Sequence, residues 1–230
     1  MASTSPFLRV VPTSEQPEDY LAADEVVDHR HPAVEAVAAR LQRTTGAGRD
    51  GSGRDGSGRT EGRIAYARAA FVFVRDEIAH SADAGEYSAA FRASDVLGAR
   101  NAICFGKAHL LTALLRARSI PAGLCYQRLT DARPDRFVLH GLVATRVVGH
   151  WSRLDPRGNR PGVVDTPFDL YRERLAWPVD AALGEVDYPL LHPGPPPELL
   201  AGLRAARPGP ADGPGPGTYD HLPSALTAVG

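Results

Sequence analysis

The most informative segment of the sequence, residues 101–116, reads Asn101-Ala-Ile-Cys104-Phe-Gly-Lys-Ala-His-Leu-Leu-Thr-Ala-Leu-Leu-Arg116. Its apolar residues recur every three to four positions, which predicts a helix with its apolar face in the core. The side chain of Asn101 is predicted to cap this helix, so that Cys104 lies in the first turn at the third helical position. Arg116 lies in the last turn, where positive charge is favourable, and Pro121 prevents the helix from continuing.

A cysteine in the first turn of a helix lies at the positive end of the helix dipole. This position favours the thiolate, which is the nucleophilic form of the side chain. Lys107 and Arg100 flank the cysteine and could favour a thiolate or an anionic substrate. The alternative for Cys104 is packing as a small buried hydrophobe, and this is the interpretation for Cys125, which lies between apolar residues in a strand-like run.

Two candidate partners for Cys104 follow downstream. An apolar, β-branched run over residues 137–148 predicts a buried strand with His140 near its start. A second short strand over residues 151–155 ends at the turn signal Asp155-Pro156. A nucleophile of this kind needs a base and a group that orients the base, so Cys104, His140 and Asp155 form a candidate catalytic triad.

The order Cys104, His140, Asp155 resembles the transglutaminase-like superfamily of papain-type cysteine enzymes, in its bacterial type. The matching motifs are the cysteine segment leading into Leu-Leu-Arg-Ala-Arg-Ser-Ile-Pro-Ala, the pair His140-Gly, and Trp151-x-x-Leu-Asp155-Pro156. The resemblance implies acyl transfer at a peptide or carboxamide bond. For bacterial-type members of this size it implies peptidase or amidase activity rather than protein cross-linking. No cofactor is expected, because the sequence has no D-x-D-x-D-G calcium loop with a distal Glu.

The spacing of the triad requires a particular hairpin. A strict two-residue turn at Gly149-His150 puts Asp155 opposite Ala144, several residues from His140. The triad therefore predicts a longer or bulged turn over residues 147–150, which brings Asp155 opposite His140 or the residue after it.

The predicted fold class is α+β, with a papain- or transglutaminase-like core in which the cysteine helix packs on a small antiparallel sheet. Helices are predicted to begin at Pro32 and at Ile64, ahead of the cysteine helix. A first strand is predicted at residues 122–129, before the strand that carries His140.

One domain is expected over residues 1–190. Within it, the Gly- and Ser-rich tract at 46–62 is predicted to form a mobile surface loop. Residues 191–230 are rich in proline and glycine and are predicted to form an extended tail, interrupted by one short helix at 197–203.

Length and composition are those of a globular protein: 230 residues, 43% hydrophobic and 23% charged. The net charge of -1 gives no overall attraction to nucleic acid or to an anionic membrane. Two cysteines are too few for a disulfide framework, and the first residues lack a basic region followed by an apolar run. We therefore expect a cytoplasmic location. The resemblance to the transglutaminase-like superfamily implies a peptide or amide substrate as the partner. The oligomeric state stays open.

Three further side chains are predicted, more weakly, to bind substrate: Gln127, Trp151 and Asn101. Metal binding has little support, because neither Asp28 with His29 and His31, nor the two cysteines with His109 and His140, has a recognised ligand spacing. Two other functions stay open at this point. One is an inactive transglutaminase-like module that binds a partner, and the other is a small-molecule acyltransferase, as in arylamine acyltransferases, which use the same triad order.

Overall fold

The computed structural model of the protein describes residues 8–46, 57–131, 136–210 and 222–227. The helices in these ranges are α1 (Pro32–Thr44), α2 (Ser57–Glu77), α3 (Ser81–Ala84), α4 (Ala93–Ala99), α5 (Cys104–Arg116) and α6 (Pro197–Ala205), with 3-10 turns at Pro17–Tyr20 and Ala181–Leu183. The strands are β1 (Val11–Pro12), β2 (Ala79–His80), β3 (Glu86–Tyr87), β4 (Asn101–Ala102), β5 (Ala122–Thr130), β6 (Phe137–Thr145), β7 (Ser152–Leu154), β8 (Val186–Asp187), β9 (Leu190–Leu191) and β10 (Gly209–Pro210). No helix in the described part of the chain is both long and apolar enough to cross a membrane.

The main sheet has four antiparallel strands in the order β7-β6-β5-β8. β5 and β6 pair along their full length, from Ala122 opposite Thr145 to Thr130 opposite Phe137. β7 is much shorter and pairs only with Val143–Thr145 of β6. The start of β6, which carries His140, therefore lies beyond the end of β7.

Helix α5 is the centre of the fold. Every residue from Cys104 to Arg116 is buried, which fits a sequence that is apolar nearly all round. The helix packs on β5 and β6 and is surrounded by α1, α2 and α4. The guanidinium of Arg116 tolerates burial because it donates to the carbonyl groups of Ala22 and Ala122, at 2.7 and 2.8 Å, and to Pro193. The α+β class, with the cysteine helix on an antiparallel sheet, is confirmed.

The predicted cap of α5 is wrong. Asn101 lies in β4, which pairs in parallel with β2, so the chain stays extended through Ile103. The helix begins at Cys104 itself, without a side-chain cap. The cysteine is thus two positions nearer the helix terminus than the sequence suggested, because an unforeseen strand pair delays the first turn.

Two expectations about irregular segments are also corrected. α2 already begins at Ser57, so residues 57–62 are helical and only 47–56 of the expected loop lie outside the described residues. The short helix predicted in the tail is present as α6, and its Leu199 and Leu203 are buried in the main core. This first part of the tail packs into the fold because its apolar residues share one helix face.

Candidate active site

Cys104 occupies the first helical position of α5, directly after the extended residue Ile103. Its side chain is largely buried, with 8% of the residue exposed. The first intrahelical hydrogen bond of α5 runs from the Lys107 N–H to the Ile103 carbonyl, at 3.2 Å. The N–H groups of the preceding helical residues therefore have no intrahelical partner and can serve a ligand at this terminus.

His140 and Asp155 are hydrogen-bonded to each other in the interior. His140 Nε2 lies 2.8 Å from Asp155 Oδ2, and both residues are buried. Asp155 is itself held by two backbone N–H donors, from Arg157 at 3.0 Å and from Ala176 at 2.9 Å. A carboxylate with this many donors has a fixed orientation, and it fixes the imidazole ring in turn.

The hairpin between β6 and β7 is longer than two residues, as the triad required. Val143 pairs with Leu154, so continuing the register by one residue puts Asp155 opposite Leu142. The predicted position opposite His140 or the next residue is therefore wrong by one or two residues. Leu142 and His140 share a face of β6, and the aspartate side chain reaches along that face from beyond the end of β7.

The thiol of Cys104 contacts two consecutive residues of β6. It lies near enough to the His140 ring to help raise the pKa of that ring, and its sulfur accepts the Gly141 backbone N–H at 3.4 Å. Because His140 Nε2 is taken by Asp155, the ring nitrogen that remains for the thiol is Nδ1. The structure thus brings Cys104, His140 and Asp155 together in one chain of contacts.

The charges around His140 favour the protonated form of its ring. Burial acts to lower the pKa of His140, but the Asp155 carboxylate and the contact with Cys104 outweigh it and raise this pKa well above its ordinary value. Burial acts to raise the pKa of Asp155, whereas His140 and the two backbone donors hold it below its ordinary value. The arrangement can therefore hold an imidazolium between a carboxylate and a sulfur.

An irregular segment, residues 171–177, crosses the site beside Asp155; we call it the strap. In addition to the Ala176 N–H, it supplies the Trp177 carbonyl, which accepts from Gln127 Nε2 at 3.3 Å. Gln127 is buried and lies directly opposite His140 in the sheet. Its Oε1 is buried and has no hydrogen-bond partner among the described residues. The site thus contains an unused acceptor next to the histidine.

Residues 54–156 match the family model of the transglutaminase-like superfamily, and all three residues of the contact chain fall within them. The match covers somewhat less than half of the chain, and it shows what this segment is similar to. The resemblance seen in the sequence is confirmed for this part of the chain. No curated protein matches the sequence.

One similar solved structure is that of a candidate cysteine protease from Cytophaga hutchinsonii. It shares 18% sequence identity at a TM-score of 0.45, over 65% of this chain and 46% of that chain. This chain therefore corresponds to less than half of that protein's length. The likeness is too distant to carry an assignment of fold or function.

The other two predicted substrate-binding side chains, Trp151 and Asn101, contact other parts of the fold. Trp151 packs on Tyr20, with ring centroids 5.1 Å apart, at the far end of β6. The Asn101 Oδ1 accepts a hydrogen bond from the Ser81 hydroxyl at 2.6 Å, and its Nδ2 donates to the Glu86 carbonyl at 3.1 Å.

The positive charges that flank Cys104 in the sequence do not contact the sulfur. Lys107 donates to the carbonyl groups of Arg75 and Ile78 at the end of α2. Arg100 is exposed and pairs with Glu77 at 2.8 Å. The contacts to the thiol come instead from the His140 ring and the Gly141 N–H, and a backbone donor of this kind leaves no residue-type signal in a sequence.

Cys125 is fully buried, and burial raises the pKa of its thiol to about 12. Both cysteines are free. Within the described residues, no group of three His, Cys, Asp or Glu side chains is arranged to hold a metal ion. His109 is buried and hydrogen-bonds the Phe91 carbonyl at 2.7 Å, which accounts for its presence in α5.

Proposed function

We propose that this protein catalyses cysteine-dependent acyl transfer or hydrolysis at a peptide or carboxamide bond. The observation that supports the proposal best is the continuous contact from Asp155 through His140 to Cys104 at the start of a buried helix. Cys104 acts as the nucleophile, His140 as the base and then the acid, and Asp155 as the group that fixes the ring.

In the first step the Cys104 proton moves to His140 Nδ1, and the sulfur attacks the carbonyl carbon of the bound amide. The Gly141 N–H, already 3.4 Å from the sulfur, stabilises the thiolate before attack. The negative oxygen of the tetrahedral intermediate is stabilised by the unpaired N–H groups at the start of α5.

In the second step the C–N bond breaks and His140 gives its proton to the departing amine. A thioester remains on Cys104. Water, deprotonated by His140, then attacks the thioester and restores the thiol; an amine acceptor in place of water gives transamidation. Gln127 lies opposite His140 in the sheet, and its Oε1 has no hydrogen-bond partner among the described residues, which supports a role in accepting an N–H group of the substrate.

The test is a reaction with acyl p-nitrophenyl esters and with peptide p-nitroanilides. We expect a burst of p-nitrophenol, with the acyl group mapped to Cys104 by peptide mass spectrometry. Hydroxylamine accelerates turnover if the acyl-enzyme accepts amines. The Cys104→Ala variant is expected to lose the burst. A wild type that forms no acyl-Cys104 with any ester contradicts the proposal and favours a binding role for the fold.

A further inference from the structure

A cavity of about 380 Å³ with several charged residues in its lining lies beside the turn that follows Asp155. We call it the Lys107 cavity. It is bounded by the end of α2, by β2 and α3, by α5, and by the turn that follows Asp155. Its lining includes Arg75, His80, Asp83, Lys107, Arg157 and Gly158.

Lys107 is completely buried in the wall of this cavity. Its ammonium group donates to the carbonyl oxygens of Arg75, at 3.1 Å, and Ile78. These neutral acceptors use two of its three protons. Among the described residues no acceptor takes the third proton, and no carboxylate forms an ion pair with the group. A buried ammonium without a counter-charge is costly, and this burial lowers the pKa of Lys107 to about 7. An anion in the cavity would lower the cost and favour the protonated form of the side chain.

The other charges of the cavity are already matched. Arg75 forms an ion pair with Asp76 at 2.7 Å, and Arg157 forms a bidentate ion pair with Asp83 at 2.7 and 2.9 Å. Among the described residues that line the cavity, Lys107 is therefore a basic side chain that forms no ion pair with an acid. One uncompensated positive charge matches a singly charged anion, whereas a dianion would also face the two acids.

Two further features fit a ligand beside the ammonium. His80 Nδ1 is buried and has no partner among the described residues, so it can donate to an anion in the appropriate tautomer. Gly158 has φ +116°, and a Cβ at this position would lie 3.6 Å from Lys107 Nζ. A glycine thus keeps space open next to the charged group, in a backbone conformation that other residues rarely adopt.

We propose that the Lys107 cavity binds a small carboxylate, held by the Lys107 ammonium and the His80 ring. The carboxylate is either a free organic acid or the carboxylate of a peptide. The cavity also adjoins the site of the proposed chemistry, because Arg157 donates its N–H to Asp155 and His80 pairs with Ala102, two residues before Cys104. A peptide carboxylate bound here would lie next to the triad.

The chain offers an unusually clean probe, because Lys107 is its only lysine. We would label the full-length protein with lysine that carries ¹³C at the ε-carbon and follow the single side-chain resonance. The titrants are acetate and its neutral isostere acetamide, at constant ionic strength set with chloride. We expect a saturable shift with acetate and none with acetamide. Equal responses to the two, or no saturable response to acetate, overturn the proposal.

The two sources of the carboxylate are separated by a second pair of titrants. N-acetyl-dialanine with a free carboxylate is compared with its C-terminal amide. If the free acid shifts the resonance and the amide does not, the cavity accepts a peptide terminus. If acetate shifts the resonance and neither peptide does, the cavity is assigned to small free acids. An equal shift from the acid and the amide contradicts carboxylate recognition.

A variant pair checks that the response arises in the cavity. His80→Phe keeps an aromatic ring and removes both ring nitrogens, so acetate affinity is expected to fall roughly fivefold. Arg204→Gln, at an exposed ion pair with Glu25, should leave the affinity unchanged. Equal affinities in wild type and a folded His80→Phe overturn the assignment of His80. The titration is repeated in Cys104→Ala, so its result does not depend on the proposed chemistry at the thiol.

Discussion

The residue after the histidine touches the thiol: the Gly141 backbone N–H donates to Cys104 Sγ at 3.4 Å. This approach depends on the absence of a side chain at position 141. A Cβ there would lie 2.8 Å from Phe105 Cδ1 and 3.3 Å from Phe105 Cα, where Phe105 is the second residue of α5 and is buried. The start of the cysteine helix therefore rests directly on the backbone of β6.

Replacing Gly141 by alanine is predicted to push the start of α5 away from the strand. We expect a loss of about 1–3 kcal/mol of unfolding free energy, as for other overpacked cores, and a slower reaction of Cys104 with alkylating agents. Urea unfolding and labelling rates measure the two effects. Gly98→Ala is the matched control, because this exposed helical glycine has nothing within 4 Å of an added Cβ. A Gly141→Ala variant as stable and reactive as wild type would show that the close contact is unimportant.

The stability contribution of His140 is predicted to depend on pH. Its pKa is raised in the folded protein above the ordinary 6.5, so the contribution is fully present below about pH 6.5 and declines as the pH rises through the folded value. The pKa of Asp155 is lowered, so Asp155 is still charged at pH 6. His140→Gln should therefore destabilise the protein more at about pH 6 than at about pH 10.

Urea unfolding of wild type and His140→Gln at the two pH values checks this prediction. The control is the same comparison in an Asp155→Asn background, where most of the pH dependence is expected to disappear because the partner charge is gone. Equal losses at both pH values in the wild-type background would contradict the assignment of an imidazolium–carboxylate pair.

The sheet face beside the triad contains a buried arginine. Arg153 pairs with Glu173 of the strap at 2.6 Å and with Asp187 of β8. Arg153→Met leaves these two acids without a counter-charge, so we expect a loss of about 3–5 kcal/mol in urea unfolding. Arg92→Gln, which breaks a surface pair with Glu25, should cost less than about 1 kcal/mol. Similar losses in the two variants would refute a structural role for the buried pairs.

The tail helix α6 is predicted to be part of the cooperative fold. Leu199 is fully buried, whereas its neighbour Leu200 is only partly buried. Leu199→Ala should cost about 2–5 kcal/mol of unfolding free energy, and Leu200→Ala distinctly less. Urea unfolding of the two variants measures the difference. If both substitutions are nearly neutral, α6 does not contribute to the core.

The core of the fold was predictable because its signals are local. The buried helix of Cys104 and the long strands β5 and β6 follow from apolar periodicity, and the order of Cys104, His140 and Asp155 indicated the family. The length of the hairpin before Asp155 followed from requiring the triad to meet. These inferences needed only the residue types and their spacing.

The rest depends on contacts between segments that are distant in the sequence. Asn101 reads as a helix cap, but it pairs with β2, and that pairing has no sequence signature. Lys107 reads as a positive charge that could favour the Cys104 thiolate, yet it is completely buried and two carbonyl groups at the end of α2 accept its protons. The donors to Asp155 and Cys104 from Ala176 and Gly141 are backbone groups, which every residue carries.

Activation of Cys104 by His140 is tested most directly by alkylation with iodoacetamide. Labelling of folded wild type and His140→Ala is followed by peptide mass spectrometry across about pH 5 to 9. Cys125 serves as the internal reference, since burial raises its pKa to about 12. We predict that Cys104 reacts quickly below the ordinary thiol pKa of about 8.5, that Cys125 stays unlabelled, and that His140→Ala slows Cys104 by at least about tenfold. A Cys104 as slow as Cys125, or equally fast without His140, would contradict the account.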